Sequence, residues 1–430
     1  MTAEVAIMNK QAIALAADSA VTIRDVKGQK IFTSASKIFT LSKYHPVGIM
    51  VYGNADIMGV PWETVIKAYR SQLEKKDFAT IDKYAQDFIS YLTDETLLFS
   101  EIEEEQYVIN QVCGCFRLVL NKILHKLSRE LDLEGKLTET QVNKIIDQTV
   151  RDNHDIWENS DLLPHAPPDL IDNLRTKYEE IIQEVKEHFY ANVSDVASDH
   201  LTEIALNHLV KDSERVSYPL TSGVVIAGFG TNDVFPVLKA FLIEGRVCGF
   251  MKYKHQEEKS DEIDIENDAS ITPFGQDDMI NTFITGVHPN YLLTLVNDLR
   301  ELLTSYPEVL VDSIDKFSPR EKDEWKLKLA PISEEMCSEY IARLRDHNTA
   351  FSTDSILRVV RVLPKDELAA MAESLINLTS FKRRVSMEEE TVGGPIDVAV
   401  ISKGDGFIWI KRKHYFERDL NQQFFANYYR

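Results

Sequence analysis

Thr2 is the residue of this 430-residue chain whose type and place could do chemistry unaided. The chain opens Met1-Thr2-Ala3-Glu4 and runs straight into a strand-like apolar stretch. Removal of Met1 would leave a hydroxyl and a free α-amine on one residue. Such an amine titrates at about 7.7–8.0, so it can take a hydroxyl proton near neutral pH, where a lysine stays charged. An N-terminal Thr is an activated nucleophile for that reason. Many chains carry Thr second without any chemistry, so the stretch that follows has to decide.

That stretch reads as strands. Val5-Ala6-Ile7-Met8 predicts the first, Asn9-Lys10-Gln11 a polar turn, and Ile13-Ala14-Leu15-Ala16-Ala17 a second buried run ending at Asp18-Ser19. Two apolar runs across a short polar link predict a hairpin, and the small Ala side chains predict close packing on both faces. Val21-Thr22-Ile23 and Lys30-Ile31-Phe32-Thr33 flank a turn containing Gly28. Ser36-Lys37-Ile38-Phe39-Thr40-Leu41 and Val47 to Gly53 follow as further strands. A run of strands before any helix predicts a β-rich core.

These residues resemble the proteasome β-subunit family of N-terminal-nucleophile hydrolases. The stretches that carry the resemblance are Thr2, Ala16-Ala17-Asp18, Lys37-Ile38-Phe39 and Val51-Tyr52-Gly53, then Gly393-Gly394-Pro395-Ile396-Asp397-Val398-Ala399-Val400-Ile401 before Asp405-Gly406-Phe407. Two separated blocks in the same order carry it, and the middle matches only in pattern. The resemblance implies an α+β fold, a four-layer αββα sandwich of two antiparallel sheets. It also implies roles. Lys37 would tune the Thr2 amine through its charge and help carry a proton. Asp18 would anchor Lys37 and offset its burial. The Gly53 N–H would meet the oxyanion, with no side chain to hinder the substrate backbone. Seen singly, Asp18 is more simply a turn residue, Lys37 a solvated strand-edge residue and Gly53 an ordinary strand end.

The chain departs from the family in two places. The family sets an Asp and a Ser shortly before the Gly-Gly pair, and Glu389 and Val392 stand there instead, with Thr391 beside them. Glu389 is expected to support Thr2 with a longer arm. The family's Gly-Ser-Gly segment has its nearest counterpart in Pro273-Phe274-Gly275-Gln276-Asp277, with Gln276 at the Ser.

Composition narrows the rest. With 48 basic and 69 acidic residues the formal charge is −21, which argues against nucleic acid and against an anionic membrane surface. Cys113, Cys115, Cys248 and Cys337 lack zinc-site spacing and read as reduced thiols. No stretch has the length of a membrane helix and no signal peptide is visible, so a cytoplasmic protein is expected. The eleven His show no close ligand pair and no phosphate-cradling glycine loop is present. No cofactor and no metal are expected.

One domain over 1–430 is expected, with core segments 1–61, 216–275 and 386–412. Residues 62–215 predict a mainly helical insertion, with Ile81, Tyr84, Ala85, Phe88, Ile89 and Leu92 at three-and-four spacing. Residues 276–385 predict a mainly helical segment with a further insertion. The tail 413–430 is aromatic and charged, its last residues Tyr428-Tyr429-Arg430, and reads as a helix packing an aromatic face. The function expected is a threonine-type peptidase or amide hydrolase working through an acyl-enzyme on Thr2. A catalytically inactive scaffold or binding subunit and an amidase for a small amide are the alternatives. A peptide or protein substrate is expected, with a homo-oligomer or a regulatory partner left open.

Overall fold

A computed structural model of the chain describes residues 2–25, 28–94, 98–190, 194–212, 221–387 and 392–428. In chain order its strands are β1 (Ala3–Asn9), β2 (Ala12–Ala17), β3 (Val21–Asp25), β4 (Gly28–Phe32), β5 (Ile38–Thr40), β6 (Val47–Gly53), β7 (Asp56–Ile57), β8 (Val60–Pro61), β9 (Ser222–Gly228), β10 (Val237–Val247), β11 (Phe250–His255), β12 (Asp261–Glu262), β13 (Ala269–Gly275), β14 (Asp397–Ser402) and β15 (Gly406–Lys411). The helices are α1 (Trp62–Leu73), α2 (Ile81–Asp94), α3 (Glu101–Glu134), α4 (Glu139–Glu158), α5 (Leu170–Phe189), α6 (Asp195–Val210), α7 (Asp278–Thr285), α8 (Pro289–Asp312), α9 (Pro319–Asn348), α10 (Asp354–Val360), α11 (Lys365–Val385) and α12 (Gln422–Tyr428). The fold is α+β with antiparallel sheets, as the sequence leads one to expect. It forms two compact units: Met1–Ile38 with Asp233–Val237 and Asp261–Arg430, and Phe39–Asn232 with Leu238–Ser260.

The first unit is built on a five-stranded sheet of order β13-β1-β2-β14-β15, in which these neighbours pair antiparallel. Asn9 closes the β1–β2 hairpin. Its Oδ1 accepts the N–H groups of Gln11 at 2.9 Å and Ala12 at 3.3 Å, the local bonding that suits Asn to turns. Its Nδ2 donates to the carbonyls of Val360 and Leu363, both at 2.9 Å, which ties the turn to the end of α10. Helix α11 buries Leu368, Ala369, Ala372, Leu375, Ile376 and Thr379, one stripe at helical period. That stripe lies on Ala12, Ala14 and Ala16 of β2 and on Ala3, Val5 and Ile7 of β1. Small residues in the sheet let the helix approach closely.

The second unit holds a sheet of order β11-β10-β9-β6-β5. A helical core of α3 to α6 gathers Phe116, Trp157, Leu174, Tyr178, Ile182 and Ile204. Thr138 and Gln141 form a reciprocal capping box at the start of α4, which satisfies two of the first-turn N–H groups. No helix among the described residues is long and apolar enough to cross a membrane.

Candidate active site

Thr2 continues β1 outward. Its carbonyl accepts the Gln276 N–H at 2.7 Å, one step beyond the Ala3–Gly275 pair of the β1–β13 ladder. Gly275 has φ +70, and a Cβ there would lie 2.1 Å from the Thr2 carbonyl oxygen. Only glycine fits this conformation beside that carbonyl. Ala3, Val5 and Ile7 face the helix-side cluster, so strand alternation turns Thr2, Glu4, Ala6 and Met8 to the opposite face. Thr2 is 5% exposed.

Asp18, at the end of β2, is the hub. Its Oδ1 accepts the Lys37 ammonium at 2.5 Å and the Ala3 N–H at 3.1 Å. Its Oδ2 accepts the Ala20 N–H at 3.1 Å and the Gly393 N–H at 3.0 Å. Asp18 is 1% exposed and Lys37 5%, so the pair is dry. Such a pair holds only because further hydrogen bonds saturate the carboxylate. The Ala3 bond fixes the residue next to Thr2, and the Gly393 bond brings in the distant Gly-Gly segment. Ser19 completes that junction: its N–H donates to the Gly393 carbonyl at 3.1 Å and its hydroxyl donates to the Pro395 carbonyl. Gly394 has φ +81, with Thr33 where a Cβ would stand, at 2.9 Å.

The structure thus brings Asp18 and Lys37 together within the first unit, with Asp18 bonded to the residue next to Thr2. Gly53 lies in the second unit. It closes β6 opposite Ser222 of β9 with φ +82, and a Cβ there would meet the Thr221 carbonyl at 2.7 Å. Glu389 and Thr391 fall outside the described residues. Val392, expected to replace a serine near the nucleophile, is buried among the apolar residues under α11. Gln276 reaches Thr2 through its backbone N–H.

Glu4 is the residue that sequence reasoning passed over. It is fully buried, and neither carboxyl oxygen has a hydrogen-bond partner among the described residues. Burial pushes its carboxyl well above the ordinary carboxylate range, against the pull of Lys37 and with a further push from Asp18. A charged residue inside an otherwise apolar strand was the signal that could have found it.

Two features lie elsewhere. A cavity of about 1460 Å³, lined by Asp152, Asp155, Asp161, Asp212, Glu257 and Glu258 among others, belongs wholly to the second unit. On α4, ligand atoms of His154, Asp155 and Glu158 come within 4.8 Å of one another. That grouping follows from adjacent and i, i+4 positions on one helix, and both its carboxylates are exposed.

No family model matches the chain, and no curated protein matches it. Solved structures that align with it include Anbu (ancestral beta-subunit) from Yersinia bercovieri, at 10% identity over 99% of this chain and 94% of that one, TM-score 0.27. Another is an Anbu (Gly-1) mutant from Hyphomicrobium sp. strain MC1, at 8% identity over 99% and 94%, TM-score 0.26. Superpositions this loose carry no argument about function. They also correct the expectation drawn from sequence: the chain is not assigned to the proteasome β-subunit family. The short matching stretches are too few to show a family, since no family model and no curated protein matches the chain.

Proposed function

We propose that the protein is an N-terminal threonine hydrolase that cleaves an amide bond of a peptide or protein after Met1 is removed. The observation that carries this reading is the dry Asp18–Lys37 pair at 2.5 Å, hydrogen-bonded to the residue next to Thr2. A buried ion pair whose carboxylate is saturated, at the root of a would-be nucleophile, supports a site more than a stability device, since buried pairs add little net stability.

The mechanism runs on the residues themselves. The Thr2 amine takes the Oγ1 proton, directly or through water, as Oγ1 bonds to the substrate carbonyl carbon. The carbonyl π pair moves onto oxygen. Collapse of that oxyanion breaks the C–N bond, and the leaving amine takes the proton from the Thr2 ammonium. Water then hydrolyses the ester with the amine as base again. Lys37 lowers the proton affinity of the amine through its charge, and Asp18 holds Lys37. The Gly53 N–H as oxyanion donor and Glu389 as support go with this reading as proposals. So does the four-layer αββα arrangement, which a crystal structure tests. The four free cysteines suit a reducing, cytoplasmic setting.

Intact mass and an epoxyketone probe test the reading together. The expected result is a chain lacking Met1 that the probe modifies at Thr2, with no modification of Thr2→Ala. Retained Met1 on protein from its native host would sink the reading. A processed chain that the probe never modifies would favour a non-catalytic binding protein.

A further inference from the structure

Glu4 stands two residues from Thr2 on the same face of β1, about 6.5 Å along the strand. It is buried with both oxygens unpartnered among the described residues. A carboxyl so placed is held as the neutral acid unless a cation reaches it, and its raised proton affinity agrees. The charges around it are few. Lys37 is already engaged by Asp18 Oδ1 at 2.5 Å. Across the ladders Glu4 faces Phe274 of β13 and Ala17 of β2, neither titratable. Beyond Ala17 the same row reaches Asp397 of β14, which accepts the Lys413 N–H at 2.8 Å and its ammonium. While Met1 is attached, the Thr2 nitrogen is a neutral amide. Removal of Met1 creates a cation at the end of the strand that carries Glu4, where Glu4 lacks one.

We infer that Glu4 is the proton-exchange partner of the Thr2 amine and sets the pH at which that amine becomes a free base. This deepens the hydrolase reading and rests on it. In the resting processed chain the Glu4 carboxylate pairs with the Thr2 ammonium. One proton then moves from nitrogen to the carboxylate. An N–H bond breaks and an O–H bond forms, leaving a neutral amine able to accept the Oγ1 proton. Glu4 acts through the amine and not on the substrate, so it is a positioning residue.

The test titrates the Thr2 α-amine of the processed protein. The rate of N-terminal acylation is followed against pH by mass spectrometry, in the native sequence and in Glu4→Gln, with Glu4→Met as a second neutral variant. Loss of an adjacent opposite charge should lower the amine midpoint by about one pH unit or more, giving roughly tenfold more free amine below both midpoints. Coincident midpoints in folded variants would overturn the proposal, and continued epoxyketone labelling of Thr2 would leave the hydrolase reading intact. A shifted midpoint with no labelling in any form would sink the hydrolase reading and keep the control of the amine by Glu4. Retained Met1 would overturn both. If neither variant folds, the native titration decides: a coupled carboxyl–amine pair titrates in two steps, a lone amine in one.

Discussion

Replacing Asp18 with Asn removes one charge and changes almost no volume, yet no orientation of the amide can serve the site. With its oxygen toward Lys37 and the Ala3 N–H, the amide nitrogen faces the Ala20 and Gly393 N–H groups, which are donors too. With the amide reversed, Lys37 and Ala3 lose their acceptor. A buried donor left unsatisfied costs about 1–3 kcal/mol, and breaking a buried ion pair costs about 3–5 kcal/mol. The two penalties describe overlapping contacts and do not add, so Asp18→Asn should cost about 3–5 kcal/mol. No discount for solvent screening applies, because the side chains of Lys37 and Asp18 are 6% and 0% exposed. At about 2–4 °C per kcal/mol for a unit of this size, the unfolding temperature should fall by roughly 10 °C. Scanning calorimetry reads this directly, with epoxyketone labelling of Thr2 measured in parallel below the transition. A variant that melts within about 2 °C of the parent and still labels at the parent's rate would refute the reasoning, because Asp18 would then hold neither the fold nor the nucleophile.

Gly275→Ala should displace Thr2, since the new Cβ would sit 2.1 Å from its carbonyl at φ +70; a strained position of this kind costs about 1–3 kcal/mol, and unchanged Thr2 labelling would count against the placement. Two buried carboxyls should act on stability with opposite signs. Glu4 has a raised proton affinity in the folded chain, so in protein still carrying Met1 its contribution is full below the unfolded value of about 4.3 and declines as pH rises through the folded value. Glu4→Gln should therefore gain on the parent as pH rises, by up to about 1.4 kcal/mol per pH unit, and a pH-independent difference in melting temperature would contradict this. Burial pushes Glu104 up, but the Tyr178 hydroxyl, the Cys248 N–H and Lys177 outweigh it and hold it below its ordinary value. Its contribution is present above about pH 4.3 and lost as pH falls through the folded value. Glu104→Gln should cost about 1–2 kcal/mol at neutral pH, after a discount because the Lys177 side chain is 41% exposed. The gap to the parent should close in acid, and a gap that widened there would reverse the sign of the argument.

Local order was legible where period and turn chemistry act alone. The β1–β2 hairpin follows from two apolar runs around Asn9, and the stripe of Leu368, Leu375 and Ile376 marks the buried face of α11. Long-range geometry was not legible in the same way. Asp18 and Lys37 are 19 residues apart, and nothing in that spacing makes them meet. They were paired through a family resemblance that the comparisons do not sustain, although the contact itself is present. The Gly393 bond to Asp18 spans 375 residues and depends on β14 pairing with β2. Glu4 escaped notice because every residue of β1 is buried, so the alternation that marks a two-faced strand is missing.

That same burial separates the two carboxyls of the site. Asp18 accepts four hydrogen bonds and holds Lys37, the Ala3 backbone and the Gly393 backbone in place. A carboxylate so engaged has its acceptor sites filled. Glu4 accepts no hydrogen bond from the described residues, so a proton can come and go there without undoing any of the structure around it. Environments that divide two carboxyls in this way divide their tasks. On the proposed mechanism, one is fixed scaffolding for the cation that tunes the amine, and the other is the group free to exchange a proton with it. A single buried acid could not do both, because four donors already fill the acceptor sites of Asp18.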